Sequence, residues 1–251
     1  MTPLAVTLLL FGLVIGSFLN VVIHRVPRKE SVVWPASHCP GCGSALRKRD
    51  NVPLFSYLAL RGRCRDCRAR ISPRYPLVEL ATGILFAAAA YRFGPSPGLV
   101  SALILICFLV ALAGTDLEHR LLPNVLVIPA LVAGLGVSAL ANPSLWWTYP
   151  FAALGVGGFL LALALLYPGG IGMGDVKMGA MLGAFLGAYA ALAVFFGALA
   201  GAAAGGALIA AGRAGRRTRL PFGSFMALGG LAVLFFGPGL WSGYLRLLGG
   251  G

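Results

Sequence analysis

The sequence predicts an all-α, polytopic membrane fold of about eight transmembrane helices with a small cytoplasmic zinc-ribbon loop. Three observations carry that expectation. Only 11% of the 251 residues are charged, seven of them acidic, while 59% are hydrophobic and the mean hydropathy is +0.88; a soluble domain carries roughly a quarter charged residues. Apolar stretches long enough to cross a bilayer, which takes about 20 residues, recur along the chain. The formal charge of +13 is concentrated, with twelve Lys and Arg against three acids between His24 and Tyr75.

In lipid every backbone N–H and C=O must be bonded inside the protein, which leaves helices or a closed barrel. Continuous apolar runs, not alternating ten-residue strands, decide for helices. The first covers Leu4–Ile23. It lacks a basic leader and runs through Gly16-Ser-Phe-Leu-Asn20 into a basic segment without a small-x-small cleavage site, so a retained span is expected rather than a removable signal. Further spans are expected over Leu77–Tyr91, Leu99–Gly114, Leu121–Leu140, Tyr149–Tyr167 and Phe225–Leu245. Between the last two lies Met178–Ala211, uncharged but too long for one crossing. A single helix there would reach roughly 50 Å against a hydrocarbon core of about 30 Å. Two helices breaking near Ala190–Val194 are expected instead.

Orientation follows from charge. Basic runs can bind nucleic acid, but between spans a Lys/Arg excess marks a cytoplasmic loop facing anionic lipid. No nucleic-acid partner is expected. With residues 24–75 inside, the linkers 92–98 and 141–148 fall outside with one basic residue between them. Residues 116–120, 168–177 and 212–224 fall inside, the last with Arg213, Arg216, Arg217 and Arg219. Seven spans would put that arginine cluster outside; eight keep the positive-inside pattern. Asp116 and Asp175 then share the cytoplasmic face.

Cys39-Pro-Gly-Cys42 and Cys64-Arg-Asp-Cys67 are two C-x2-C pairs with 21 residues between them. Four thiolates at this spacing suit a closed, tetrahedral structural zinc site. Disulfides are the alternative, disfavoured in the reducing cytoplasm, and a redox C-x-x-C pair is another. Cys107 reads as a plain buried residue.

Ionisable groups at or within spans default to functional candidates. Asp116 ends the third span, where the negative end of the helix dipole offers it nothing. Asp175 stands in Gly169-Gly-Ile-Gly-Met-Gly-Asp-Val-Lys177, whose glycines let another extended chain approach closely. The plain alternative for Asp175 is an N-cap, with helix from Val176 onward. Two carboxylates brought together cannot both ionise, so one donates a proton while the other accepts. That suits peptide hydrolysis by an activated water, and the pair would titrate as a unit. A transporter with gating carboxylates remains an alternative, although only one Gly-rich break is visible where an inverted repeat needs two. An assembly factor built on the zinc loop would leave both aspartates as caps.

Gly172-Met-Gly-Asp-Val-Lys177 together with Asp116-(x)5-Leu-Leu-Pro123 resembles the type IV prepilin peptidases, bifunctional leader peptidase/N-methyltransferases of the GxGD aspartic class. The resemblance extends over nearly the whole chain, through residues 16–27, both cysteine pairs, Arg61-Gly-Arg-Cys-Arg65, Ser72-Pro-Arg-Tyr-Pro-Leu-Val-Glu79 and Pro221-Phe-Gly223. Asn124 stands where the family often has Asp, and Ser224 where it often has Pro; neither departure is expected to touch a catalytic position. The resemblance implies catalytic Asp116 and Asp175, prepilin or pseudopilin substrates cut after Gly on the cytoplasmic side of a bacterial inner membrane, and methylation of the new amino terminus from S-adenosylmethionine. Residues 1–95, with the loop at 24–75, would be the methyltransferase part and 96–251 the peptidase part. Oligomeric state is left open.

No Rossmann-type glycine motif is present for a methylase. A polar stripe is. Ser17, Asn20 and His24 share one helix face at the inner end of the first span, and Glu79 lies at the inner end of the second. A pocket between Asn20, His24 and Glu79 would suit a cationic sulfonium or an amine; the alternative is that they bond neighbouring helices or face the wet interface.

Overall fold

The computed structural model describes residues 2–167, 169–213, 215 and 220–247. Arg216, Arg217, Thr218 and Arg219, on which part of the charge reading rests, lie outside the described residues. The chain divides into two compact units, Met1–Pro95 and Ser96–Gly251.

In the first unit, α1 (Pro3–Arg25) opens on a Thr2 cap with Pro3 at its first position, where a missing N–H costs nothing. A loop containing the short helix α2 (Phe55–Ala59) leads to α3 (Arg74–Phe93). The two long helices pack antiparallel. Ala5 packs with Ala87 and Ala90, and a Cβ on Gly12 would lie 2.8 Å from the Gly83 Cα. Small residues let the backbones approach, as is general between membrane helices.

The second unit holds α4 (Pro97–His119), α5 (Asn124–Ala141), α6 (Thr148–Leu166), α7 (Met173–Leu186), α8 (Ala190–Ala210) and α9 (Phe222–Leu247). Its core gathers Leu105, Leu109, Leu112, Val127, Met181 and Leu182, all inaccessible or nearly so. α5 starts three residues later than expected, because Pro123 disfavours helix at the residue before it. Leu121 and Leu122 are therefore a linker, not the start of a span.

Among the described residues, seven helical runs are long and apolar enough to cross a membrane, and Met173–Ala210 counts as one of them. That run nevertheless doubles back. Leu182 lies against Gly230 and Tyr189 against Gly237, whereas Gly201 lies against Phe225 and Gly205 against Leu220. α7 thus runs with α9, and α8 runs against it. The reversal is the 3-10 turn Gly187–Tyr189, with Gly187 at φ +56°, ψ −137°. The expected break near Ala190–Val194 is corrected to this glycine, whose lack of a Cβ admits the positive φ. α7 has 14 residues, about 21 Å of helix.

Candidate active site

One end of the second unit collects the carboxyl end of α4 and the amino ends of α5, α7 and α9. Asp116 sits in the last turn of α4 and is 5% exposed. Its Oδ2 accepts the backbone N–H of Ser224 at 2.7 Å and lies 3.0 Å from the Ser224 hydroxyl. That hydroxyl is also 3.2 Å from the Ala113 carbonyl, and its single proton serves one acceptor at a time. The amino end of α9 supplies what the end of α4 cannot, a positive dipole end aimed at a carboxylate. The expectation that Ser224 touches no catalytic candidate is overturned.

Asp175 is half-buried in the first turn of α7, three residues past the true cap Gly172. It is not the cap itself, but its Oδ2 reaches back to accept the Gly172 N–H at 3.2 Å. Leu122 lies between the two aspartate turns, against Gly174 beside Asp175 and against Gly223 beside Asp116 Oδ2. A Cβ on Gly174 would meet the Leu122 Cβ at 3.0 Å, and one on Gly223 would lie 2.9 Å from Leu122 and 3.1 Å from Asp116 Oδ2. Side chains at either glycine would press directly on the site. Lys177 donates to Asn124 Oδ1 at 2.9 Å, tying α7 to α5. Asn124 therefore also contacts the aspartate motif, through Lys177. Glu118 is exposed in the last turn of α4, its carboxylate 3.7 Å from His119 Nε2.

In the first unit the sulfurs of Cys39, Cys42, Cys64 and Cys67 lie within 4.8 Å of one another, with Cys39 and Cys67 3.7 Å apart. A zinc tetrahedron with Zn–S bonds of about 2.3 Å has edges of about 3.8 Å. No disulfide joins them. Each pair sits in a turn closed by one antiparallel bridge, His38 to Ala45 and Arg63 to Arg70. Among the described residues there is no full strand. Hydrogen bonding to Ser44 draws the Cys42 thiol down to about 7. The Ala69 N–H lowers Cys67, but bonds shared with the other thiols and burial push it up to about 12. The residues fit a structural zinc with no open position. Arg65 clamps Asp50 through three contacts, the shortest 2.6 Å, and that hydrogen bonding holds the Asp50 carboxyl below its usual range. Arg47 reaches Asp66 at 3.7 Å. These pairs close the loop around the four cysteines.

The polar stripe is only partly assembled. Asn20 and Glu79 are both buried between α1 and α3. Asn20 donates to the Tyr75 carbonyl at 3.0 Å, and its Oδ1 has no partner among the described residues. Glu79 Oε2 accepts the Leu54 N–H at 2.8 Å. His24 is drawn aside to Arg28, 3.0 Å from its Nδ1.

Residues 10–93 match the model of the bacterial peptidase A24 N-terminal domain, and residues 103–208 that of the type IV leader peptidase family. A prepilin leader peptidase/N-methyltransferase of Burkholderia pseudomallei (strain 1026b) is 41% identical, covering 96% of this chain and 87% of its own. The chain belongs to the type IV leader peptidase family. The Bacillus subtilis (strain 168) protein of the same name is 37% identical over 96% of this chain and 97% of its own. The Myxococcus xanthus (strain DK1622) protein reaches 48% over 71% of this chain, which spans 55% of that longer relative. No solved structure matches. Membership of a leader peptidase family does not favour a transporter or a non-enzymatic assembly protein. Sequence reasoning missed Ser224 and Leu122. The departure from the family's usual Pro was the one visible signal for Ser224; Leu122 lay inside an apolar run with nothing to mark it.

Proposed function

We propose that this chain removes the leader from prepilins or pseudopilins with an Asp116–Asp175 dyad and then methylates the new amino terminus. The observation that carries this is the buried Asp116 at the end of α4, gripped by the first turn of α9 and separated by Leu122 from the first turn of α7, which holds Asp175. One carboxylate takes a proton from a water as its oxygen attacks the scissile carbonyl carbon. The other, protonated, delivers its proton to the carbonyl oxygen. Collapse of that gem-diol breaks the C–N bond; the departing amine takes a proton from the first carboxylic acid while one hydroxyl proton returns to the second carboxylate, restoring the dyad. No side-chain nucleophile and no metal enters these steps. Gly172, exposed beside Asp175, leaves room there for an extended substrate backbone.

The site is placed at the cytoplasmic face of a bacterial inner membrane, on the strength of the basic loop and the positive-inside pattern. The first unit is assigned the methyl transfer. S-adenosylmethionine, when bound, supplies an electrophilic methyl group to the free amine of the cleaved product. Glu79 and the unpartnered Asn20 Oδ1 offer an anionic and a neutral acceptor that fit a sulfonium or ammonium charge, with His24 at the rim. The four cysteines hold zinc as a structural tie, since a filled tetrahedron has no position for substrate.

Coexpression with a candidate prepilin tests the reading. Mass spectrometry of the pilin should show loss of the leader and a gain of about 14 Da for one methyl group. An uncleaved pilin beside well-expressed enzyme would overturn it for that substrate class.

A further inference from the structure

The loop between α1 and α3 carries a surface that neither cleavage, methylation nor the zinc site explains. Phe55 and Leu58, three residues apart on α2, are 68% and 72% exposed. Next to them opens a cavity of about 620 Å³ lined by Ala59, Leu60, Arg61, Arg63, Arg65 and Arg68. Arg65 is neutralised by Asp50. Among the described residues, Arg61, Arg63 and Arg68 have no carboxylate partner. The feature therefore combines two apolar side chains turned to the outside with three uncompensated guanidinium groups, beside a space for an anion.

Its height is fixed by one bond. The Leu54 N–H, immediately before α2, is held at 2.8 Å by Glu79 on α3. Glu79 in turn faces Gly16 of α1, whose Cβ would lie 2.7 Å from the Glu79 Cα. Gly16 precedes the end of α1 at Arg25 by nine residues, about 13 Å of helix. α2 is thus pulled down to the level of membrane-spanning helix and does not project freely into water. A soluble polyanion would have no use for Phe55 and Leu58. A lipid surface uses both parts, since apolar side chains enter the acyl boundary while arginines bind phosphates.

We propose that this edge of the loop docks on the bilayer surface, with Phe55 and Leu58 in the acyl–headgroup boundary and the phosphate of an anionic lipid held by Arg61, Arg63 and Arg68. The docked edge steadies the loop from the lipid side, as Glu79 steadies it from the helix side.

Hydrogen exchange on the full chain in nanodiscs tests this. Amides in residues 52–63 should exchange about tenfold more slowly in phosphatidylglycerol-containing discs than in phosphatidylcholine discs. The difference should shrink in high salt, because screening weakens exposed charge contacts. Combined Arg61→Gln, Arg63→Gln and Arg68→Gln should erase the lipid dependence with zinc content retained. Phe55→Ser with Leu58→Ser should raise exchange in both kinds of disc. Equal exchange of the unaltered protein in the two lipids overturns the proposal whatever the variants do. So does protection that appears only when a prepilin is added, which would assign the surface to substrate. Persistence of the lipid effect in a zinc-loaded arginine variant would remove the arginines from it.

Discussion

Ser224, on the first turn of α9, gives its backbone N–H to Asp116 Oδ2 at 2.7 Å across 108 positions of sequence. The bond joins the carboxyl end of one membrane helix to the amino end of another at the point where the chemistry is assigned. It engages one oxygen of Asp116, and in the proposed mechanism the other is the one that serves the reacting groups. Asp175 accepts the Gly172 N–H within its own turn.

Ser224→Ala should therefore lower kcat about tenfold with KM little changed, since a hydrogen bond to a charged acceptor contributes about 1.5–3 kcal/mol and the N–H remains. Ser224→Thr should restore activity. Unchanged kcat in the Ala variant, measured on a purified prepilin, would reduce the Ser224 hydroxyl to a spectator.

The zinc loop makes a separate forecast. Protein purified without chelators should carry about one zinc per chain. Cys42→Ser or Cys67→Ser should lose the metal and open residues 26–73 to proteolysis. Methylation should fall more than cleavage, because Asp116 and Asp175 belong to the other unit. Metal analysis reads the first outcome and limited trypsin digestion the second; zinc-free protein with a protected loop would remove the site.

Most of the architecture was legible because lipid leaves few choices. Long apolar runs had to be helices; the Thr2 and Ser96 caps, which set the starts at Pro3 and Pro97 rather than at the first apolar residue of each run, were not read. The cysteine spacing foretold a cluster for the same reason, since four soft ligands in two short turns have few arrangements. The break at Gly187 was hidden among 36 glycines, most of which sit inside helices, where membrane proteins tolerate them. The contact of Ser224 was hidden for a different cause, the departure from the usual Pro being its only outward sign. Its N–H bond to Asp116 depends on where two distant helix ends meet, and a backbone donor leaves no trace in residue type.

The reversal at Gly187–Tyr189 can be tested by labelling. Ala188 is exposed in the turn and Arg213 exposed beyond α8. Cysteine placed at 188 should react with an impermeant maleimide from outside intact cells, and cysteine at 213 only after permeabilisation. The unsubstituted protein, with its five native cysteines, gives the background. Equal reactivity of both positions from outside would mean that α7 and α8 do not return the chain to the inner face.

The dyad itself makes the sharpest forecast. Asn matches Asp in shape but exchanges no proton near neutral pH, so Asp116→Asn and Asp175→Asn should each lower cleavage by about 10²- to 10⁴-fold. The double variant should be no worse than either single, because groups that act as a unit are not additive. Glu118→Gln, altering an exposed carboxylate two residues from Asp116, should keep most of the rate. A purely structural Asp175 predicts otherwise. Asp175 accepts a hydrogen bond from the Gly172 N–H, and the Asn side-chain oxygen accepts the same bond, so stability would change by only a few tenths of a kcal/mol and cleavage would survive. Quantifying leader loss by mass, with enzyme levels in the membrane held equal, separates the two: substantial processing by either single Asn variant would end the assignment of the dyad.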